Sequence, residues 1–424
     1  MLFQILNKKD VERIHEASLE VLAKTGVYFW NNPEAIRIFK ENGCRTKESR
    51  VFFPEQLVER CLSQLPERKK LKFYSMHLGM KDSISLAKGQ VNFALIGNAY
   101  YIFDFDKDSQ RDCLKADLEG RDLMVDNLRN FDLNCCQLVL HSHRQKGEDT
   151  RLQDTRFDNV DESIKVLRQR TQDKVGRGAG KTVHMLTRSK EETRLEILSH
   201  IVVRGLEEVE GQLRKNTPLV WINPISPLQY YENETKAIIG TVRKKSSSCF
   251  VMLSPEVMIG ATGPVTLAGT LVQQNAEVLA GTVLTQLVNP GTPVIYGCVS
   301  SVMDLRNAEI SEGNIETAMI NAAAVQMADF YRMPSRISPG NTSAKRPGVR
   351  AVTETALGIY MGIAAGGNII TTGLLDSTLM ISYEHLVVLD EMINQIKRAT
   401  GGINTDEARK SKKDLTWQKK IKRR

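Results

Sequence analysis

The chain has 424 residues, 41% hydrophobic and 25% charged, enough to bury a large core; no stretch approaches the ~18 to 20 uninterrupted apolar residues of a membrane span. Its formal net charge of +8 does not mark a nucleic-acid binder, because residues 409–424, "RKSKKDLTWQKKIKRR", hold nine Lys/Arg and one Asp and leave the preceding 408 residues formally neutral. Seven scattered cysteines without CxxC or Cys/His pairing argue against a disulfide framework and a structural zinc site.

The start, "MLFQILNKKDVERIHEASL", lacks the basic, apolar and small-residue succession of a signal peptide, so a soluble, cytoplasmic protein with reduced cysteines is expected. Residues 9–26 place Val11, Ile14, Leu19, Val21 and Leu22 at helical spacing before a terminating Gly26, and "NPEAIRIFKENGC" repeats that pattern. "KLKFYS" and "VNFALIGNAYYIFD" then read as strands. Residues 1–106 are therefore expected to form an α+β accessory region.

From residue 107 to 400, short apolar strands alternate with long helices. The strands are "FDLNCCQLVL", "KTVHML", "TPLVWIN", "SSCFVML", "TPVIYGCVS", "SRISPG" and "GNIITTG"; helices are expected over 190–213, 229–244, 264–288, 312–332 and 350–365. Such alternation demands parallel strands with crossover helices. Nearly every strand ends in small or polar residues, which is the pattern of a TIM-type (β/α)8 barrel with function at its C-terminal rim. No GxGxxG or GxxxxGK[ST] signals nucleotide binding. Only seven strands are evident, so the eighth is sought in the front end or in a C-terminal portion beyond this chain. Residues 401–424 form the basic tail, read as a solvated terminus.

"IGATGPVTLAG", residues 259–269, reads as a tight strand-to-helix turn on the rim. Gly260 and Gly263 permit conformations closed to other residues, Pro264 suits a first helical turn, and Thr262 can cap it. A helix start there would offer free N–H groups to a carboxylate or another electron-rich group.

The block "GATGPVTLAGTLVQQNAEVLAGTVLTQLVNPGTPVIYG" (260–297) resembles the signature of the trimethylamine methyltransferase family. "IHEASLEVLAKTGV", "LVWINPISPLQY", "MDLRNAE" and "STLMISYEHLVVLDEM" agree in order and spacing, and the likeness spans most of residues 10 to 400. The resemblance implies a barrel enzyme that passes a methyl group from a methylated amine, either trimethylamine or a quaternary amine such as glycine betaine, to the Co(I) of a separate corrinoid protein. It implies that the chain binds no cofactor itself and that its partner is that corrinoid protein; a homo-oligomer is expected. Pyrrolysine-bearing relatives take trimethylamine, whereas relatives without it take quaternary amines; no nonstandard residue is printed here, which favours the second kind.

Candidate site residues follow from their place on the rim. Asn223 and Ser226 end the "VWIN" strand, where an amide could hold a substrate carboxylate. Tyr100 or Tyr101, of which strand alternation turns one inward, could face a quaternary ammonium. Glu256 could offset a cationic substrate. Asp304 and Arg306 could orient an anion or bridge each other, and Thr262 and Gly263 belong to the turn. Lys345, past the strand "SRISPG", is the candidate catalytic amine. His141 and His143 lack a third metal ligand, and Glu384 and His385 read as helix core or surface. Relative to the family, residues 107–180 are unusually charged and the chain stops soon after "GGINTDEA". The alternative is thus a catalytically silent, truncated barrel that binds or scaffolds. An aldolase using Lys345 as a Schiff-base amine is disfavoured for want of acid/base partners.

Overall fold

The computed structural model describes residues 4–74, 83–138, 183–184, 219–243 and 249–403. Eight strands form one parallel sheet: β1 (Asn92–Ala99), β2 (Phe131–Leu138), β3 (Val183–His184), β4 (Leu219–Ile222), β5 (Phe250–Leu253), β6 (Val294–Cys298), β7 (Ser335–Gly340) and β8 (Ile369–Thr372). Their order is β3-β2-β1-β8-β7-β6-β5-β4. Seven are the strands expected from sequence. The eighth is β1, from the front end: Ile369 and Ile370 of β8 lie opposite Asn92 and Phe93 of β1. The last strand thus pairs with the first, so of the two places sought for the eighth strand it is the front end that supplies it. Among the described residues, no pairing joins β3 to β4.

Strand side chains alternate between two cores. Ala94, Ile96, Leu133, Trp221, Phe250, Met252, Ile295 and Ile369 fill the barrel interior, while Phe93, Leu95, Val251, Leu253, Tyr296, Ile337 and Ile370 face the helices. Leu71 and Leu86 join the interior cluster. They are held there by Arg68, whose Nε donates to the Leu86 carbonyl (3.1 Å) and whose guanidinium also meets Asp329 and Asn368. This hairpin segment plugs the N-terminal end of the barrel.

The helices are α1 (Lys8–Glu20), α2 (Pro33–Glu41), α3 (Glu55–Ser63), α4 (Lys115–Asn127), α5 (Glu232–Arg243), α6 (Leu267–Val288), α7 (Ile315–Phe330), α8 (Val349–Ala365) and α9 (Tyr383–Thr400). Helix α6 is apolar on all sides because it is covered on all sides: β5 and β6 lie beneath it, and α1, α2, α3 and α5 pack against it. Its polar residues are used internally. Asn275 Nδ2 donates to Ser18 Oγ (2.9 Å) and Tyr331 OH (2.8 Å), tying the front helices to the barrel. Helix α6 begins at Leu267, capped by Thr266, whose Oγ1 accepts from Gly269 N (3.2 Å), so Pro264 lies outside the helix and Thr262 is not its cap.

Cys44, Cys61, Cys113, Cys136, Cys249 and Cys298 are buried and in no disulfide. No described helix is long and apolar enough to cross a membrane. His141, His143, the expected helix 190–213 and the basic tail lie outside the described residues.

Candidate active site

Above the apolar interior, the next inward layer at the C-terminal ends of the strands is polar. Asn223 follows Trp221 by one alternation on β4, Ser254 follows Met252 on β5, and Thr371 follows Ile369 on β8. Ser254 and Thr371 are fully buried, and neither side-chain hydroxyl has a hydrogen-bond partner among the described residues. On β6 the layer holds Gly297, where a Cβ would lie 1.9 Å from Ser254 Oγ. Opposite Gly297 in the register stands Arg336 of β7, 2% exposed, whose guanidinium carbon reaches 4.8 Å from the Trp221 ring centroid. The glycine leaves room for that side chain to cross the interior toward β4.

Two carboxylates flank this layer. Glu312, in the loop before α7, is hydrogen-bonded to the Asn341 side chain, and its Oε2 is buried without a partner among the described residues. Burial, reinforced by the nearby charge of Glu256 and opposed by Asn341 and Arg336, pushes its pKa up to about 8. Glu256 is itself only partly buried, just past β5.

A third carboxylate shapes the loop after β4. Glu277, the one charged residue of α6, accepts from Ser226 Oγ (2.8 Å), Leu228 N (2.8 Å) and Gln273 Nε2 (3.1 Å), while its carbonyl accepts from Tyr230 OH (2.7 Å). Burial raises its pKa to about 7 despite these donors. Ser226 therefore serves the loop, which carries a cis Ser226–Pro227 bond.

Of the residues named from sequence, Asn223 stands in the interior layer, 8% exposed, its Oδ1 accepting from Trp221 Nε1 (2.9 Å), and Glu256 lies at its edge. The turn at 259–266 closes on itself. Thr262 Oγ1 accepts from Met258 N (2.9 Å), Gly260 takes φ +88°, and a Cβ on Gly263 would lie 2.2 Å from Val257 Cγ1. Asp304 and Arg306 bridge each other in an exposed hairpin turn, with Nη2 to Oδ2 at 2.7 Å, and the guanidinium holds the Asp304 pKa down to about 2. Lys345 stands on the rim past β7, its side chain 65% exposed and 3.5 Å from Glu309. Tyr100, partly buried, follows β1, and Tyr101 packs with Phe103, Ala344, Leu375 and Met380 in a small rim cluster. Glu384 Oε2 accepts from Ser382 Oγ (2.8 Å). His385 is 2% exposed with neither ring nitrogen paired among the described residues, and burial lowers its pKa to about 4.

Trp221, Ser254, Arg336, Thr371, Glu277 and Glu312 escaped the sequence reading. For two of them a signal exists: Arg336 is the one charged residue in "SRISPG", and Glu277 the one charged residue in a 22-residue apolar helix. Among the described residues no cluster of His, Cys, Asp and Glu could hold a metal ion.

The family model for trimethylamine methyltransferase matches residues 1–141 and 155–415. A glycine betaine methyltransferase of Desulfitobacterium hafniense strain Y51 is 28% identical over 408 residues, covering 96% of this chain and 79% of that protein. The trimethylamine methyltransferase MttB of Desulfitobacterium hafniense strain DCB-2 is 30% identical over 405 residues, 94% of this chain and 75% of the relative. Among solved structures, the monomethylamine methyltransferase MtmB of Methanosarcina barkeri aligns with a TM-score of 0.54 at 12% identity, over 95% of this chain and 76% of that one, a likeness of fold.

Proposed function

This chain belongs to the trimethylamine methyltransferase family, and we propose that it moves a methyl group from a methylated amine to the Co(I) of a separate corrinoid protein. The observation that carries this reading is the barrel mouth itself. The opposite end of the barrel is plugged around Arg68, and the mouth presents a buried polar layer flanked by Glu256 and Glu312. A quaternary ammonium is a cation with no N–H to donate, so nearby carboxylates rather than directional acceptors suit it.

The Co(I) of the corrinoid protein supplies the nucleophile that takes the methyl group. This chain's part is to hold the amine with one N-methyl group turned outward and to keep water from the reacting atoms. As the C–N bond breaks, its electron pair stays on nitrogen, which becomes neutral. With the cation gone, the buried Glu312 carboxylate, its pKa pushed up to about 8, takes a proton from solvent, and it gives that proton up when the next cation arrives. Lys345, paired with Glu309 and lying 4.0 Å from Asp376, would hold the rim loops together.

A partner must cover the mouth, and the rim is apolar enough to receive one. Phe105, Val265, Leu305, Ile315, Val349 and Leu379 are exposed large apolar side chains, each in a loop or first helical turn that follows a strand's C-terminal end. The test mixes the chain with a corrinoid protein in its Co(I) state and, separately, trimethylamine and glycine betaine. Amine-dependent loss of the Co(I) absorbance is expected with one of them. No loss with either, using a corrinoid protein proven competent with another methyltransferase, would contradict the reading.

A further inference from the structure

In the loop after β8, three successive residues that are not glycine, Asp376, Ser377 and Thr378, take φ of +50°, +50° and +73°. Left-handed backbone crowds a Cβ against the following carbonyl, so a run of three persists only where its surroundings enforce it. At the other such positions among the described residues, a single residue does this alone.

The contacts of this turn lead to one carboxylate. Ser377 Oγ donates to the carbonyl of Ile310 (2.6 Å), two residues before Glu312, and lies 3.1 Å from Ser343 Oγ. Asp376 N donates to the Ala344 carbonyl (2.9 Å) and Ser377 N to the Thr342 carbonyl (3.0 Å), which fastens the turn to the loop after β7. That loop begins at Asn341, 1% exposed. Asn341 Oδ1 accepts from Leu374 N (3.3 Å), so its Nδ2 amide is the end that donates, to Ser338 Oγ (3.3 Å) and to the Glu312 carboxylate. Glu312 Oε2 is left buried without a partner among the described residues. The charges that face Glu312 are Glu256, past β5, and Arg336 of β7. Glu354 of α8 lies behind Gly313, but its oxygens are taken by Arg350 Nε (2.7 Å), Ser343 N (3.2 Å) and the Thr342 hydroxyl.

A quaternary ammonium has no N–H with which to orient a carboxylate, so the orientation must come from the protein. We propose that Asn341 and Ser377 are positioning residues for Glu312. Asn341 fixes one carboxylate oxygen so that the other stays free for the ammonium, and the strained turn, through Ser377, clamps the strand Glu309–Ser311 that delivers Glu312 to Asn341. That Glu312 meets the substrate rests on the reading above; that these two residues hold it does not.

The test titrates Glu312 itself by NMR in the full chain, labelled with carbon-13 at the glutamate carboxyls, its resonance identified by its loss in Glu312→Gln. A wild-type midpoint of about 8 is expected. Asn341→Leu withdraws a donor from the charged form and should raise the midpoint by at least about half a pH unit, and Ser377→Ala should raise it in the same direction. Because Ser377 acts through Asn341, the double variant should move no further than Asn341→Leu alone. Ser377→Gly relieves the backbone but also lacks the hydroxyl, so it should move the midpoint as Ser377→Ala does; a residue that merely stabilised the turn would leave the Glu312 titration unchanged. Ser377→Ala, in a partly buried loop, keeps the test available if Asn341→Leu does not fold. In calorimetric binding of tetramethylammonium, the raised midpoint should weaken affinity about threefold or more at pH 7 and let it converge on the wild type at higher pH. A midpoint that stays put in either variant or moves further in the double, or an affinity lowered equally at every pH, overturns the proposal. Titrations that move as expected in a chain that binds no tetramethylammonium would overturn the cation reading of the mouth alone, and binding without methyl transfer the methyltransferase reading alone.

Discussion

The Ser226 hydroxyl donates a 2.8 Å hydrogen bond to Glu277, joining the loop after β4 to the single charged position of α6. Removing that carboxylate strands the Ser226 hydroxyl, the Leu228 N–H and the Gln273 amide, so Glu277→Ala is expected to cost about 2 to 4 kcal/mol in urea unfolding. Glu277→Gln should cost less because it keeps an acceptor. The pH dependence has a fixed sign. The folded pKa, about 7, lies above the ordinary 4.5, so the group's contribution is fully present below pH 4.5 and lost as pH rises through 7. Between pH 5 and 8 the wild type should lose stability relative to Glu277→Gln, and parallel profiles for the two would count against a buried, high-pKa carboxyl.

Much of this architecture is legible in the sequence, because fully buried parallel strands appear as short apolar runs between helices. Strand β1 is the exception for a physical reason. "VNFALIGNAYYIFD" holds both a barrel strand and the first strand of the following hairpin, and no proline or charged residue marks the break at Tyr100. The site is less legible. Thr262, Asp304 and Arg306 have the residue types of a binding loop but spend their polar atoms on their own turns. Arg336 and Ser254 acquire meaning only when parallel register brings β4 to β7 side by side.

His385 gives a second pH signature, of opposite sense. Burial without a partner lowers its pKa from 6.5 to about 4, so its contribution to stability is present above pH 6.5 and lost as pH falls through 4. Thermal unfolding of the wild type should show a loss of up to roughly 3 kcal/mol across that window from this group. His385→Leu should flatten that part of the profile, and an unchanged acid limb in the variant would remove His385 as its source.

Gly297 is expected to tolerate no side chain. A Cβ there would sit 1.9 Å from Ser254 Oγ and 2.6 Å from the Leu253 carbonyl oxygen. Gly297→Ala should therefore cost about 1 to 3 kcal/mol by overpacking. Adding Ser254→Ala should restore only part of the loss, because the backbone carbonyl remains; complete rescue in the double variant would show that the strands themselves had moved.

The rim makes a separable contribution. Leu305→Asp or Val349→Asp places a charge in the exposed apolar ring without touching the interior layer. Each should slow methyl transfer to the corrinoid protein while leaving calorimetric binding of the amine unchanged. Loss of amine binding in either variant would assign these residues to the pocket instead.

The most direct measurement of the central claim supplies trimethylamine, tetramethylammonium and glycine betaine in turn, each with deuterated N-methyl groups, together with the chain and a corrinoid protein reduced to Co(I). Mass spectrometry then follows both products. The expected result is one demethylated amine formed for each deuterated methyl group found on the corrinoid protein, with glycine betaine the best donor. A folded chain that leaves all three amines intact beside a corrinoid protein shown competent with another methyltransferase would contradict the account.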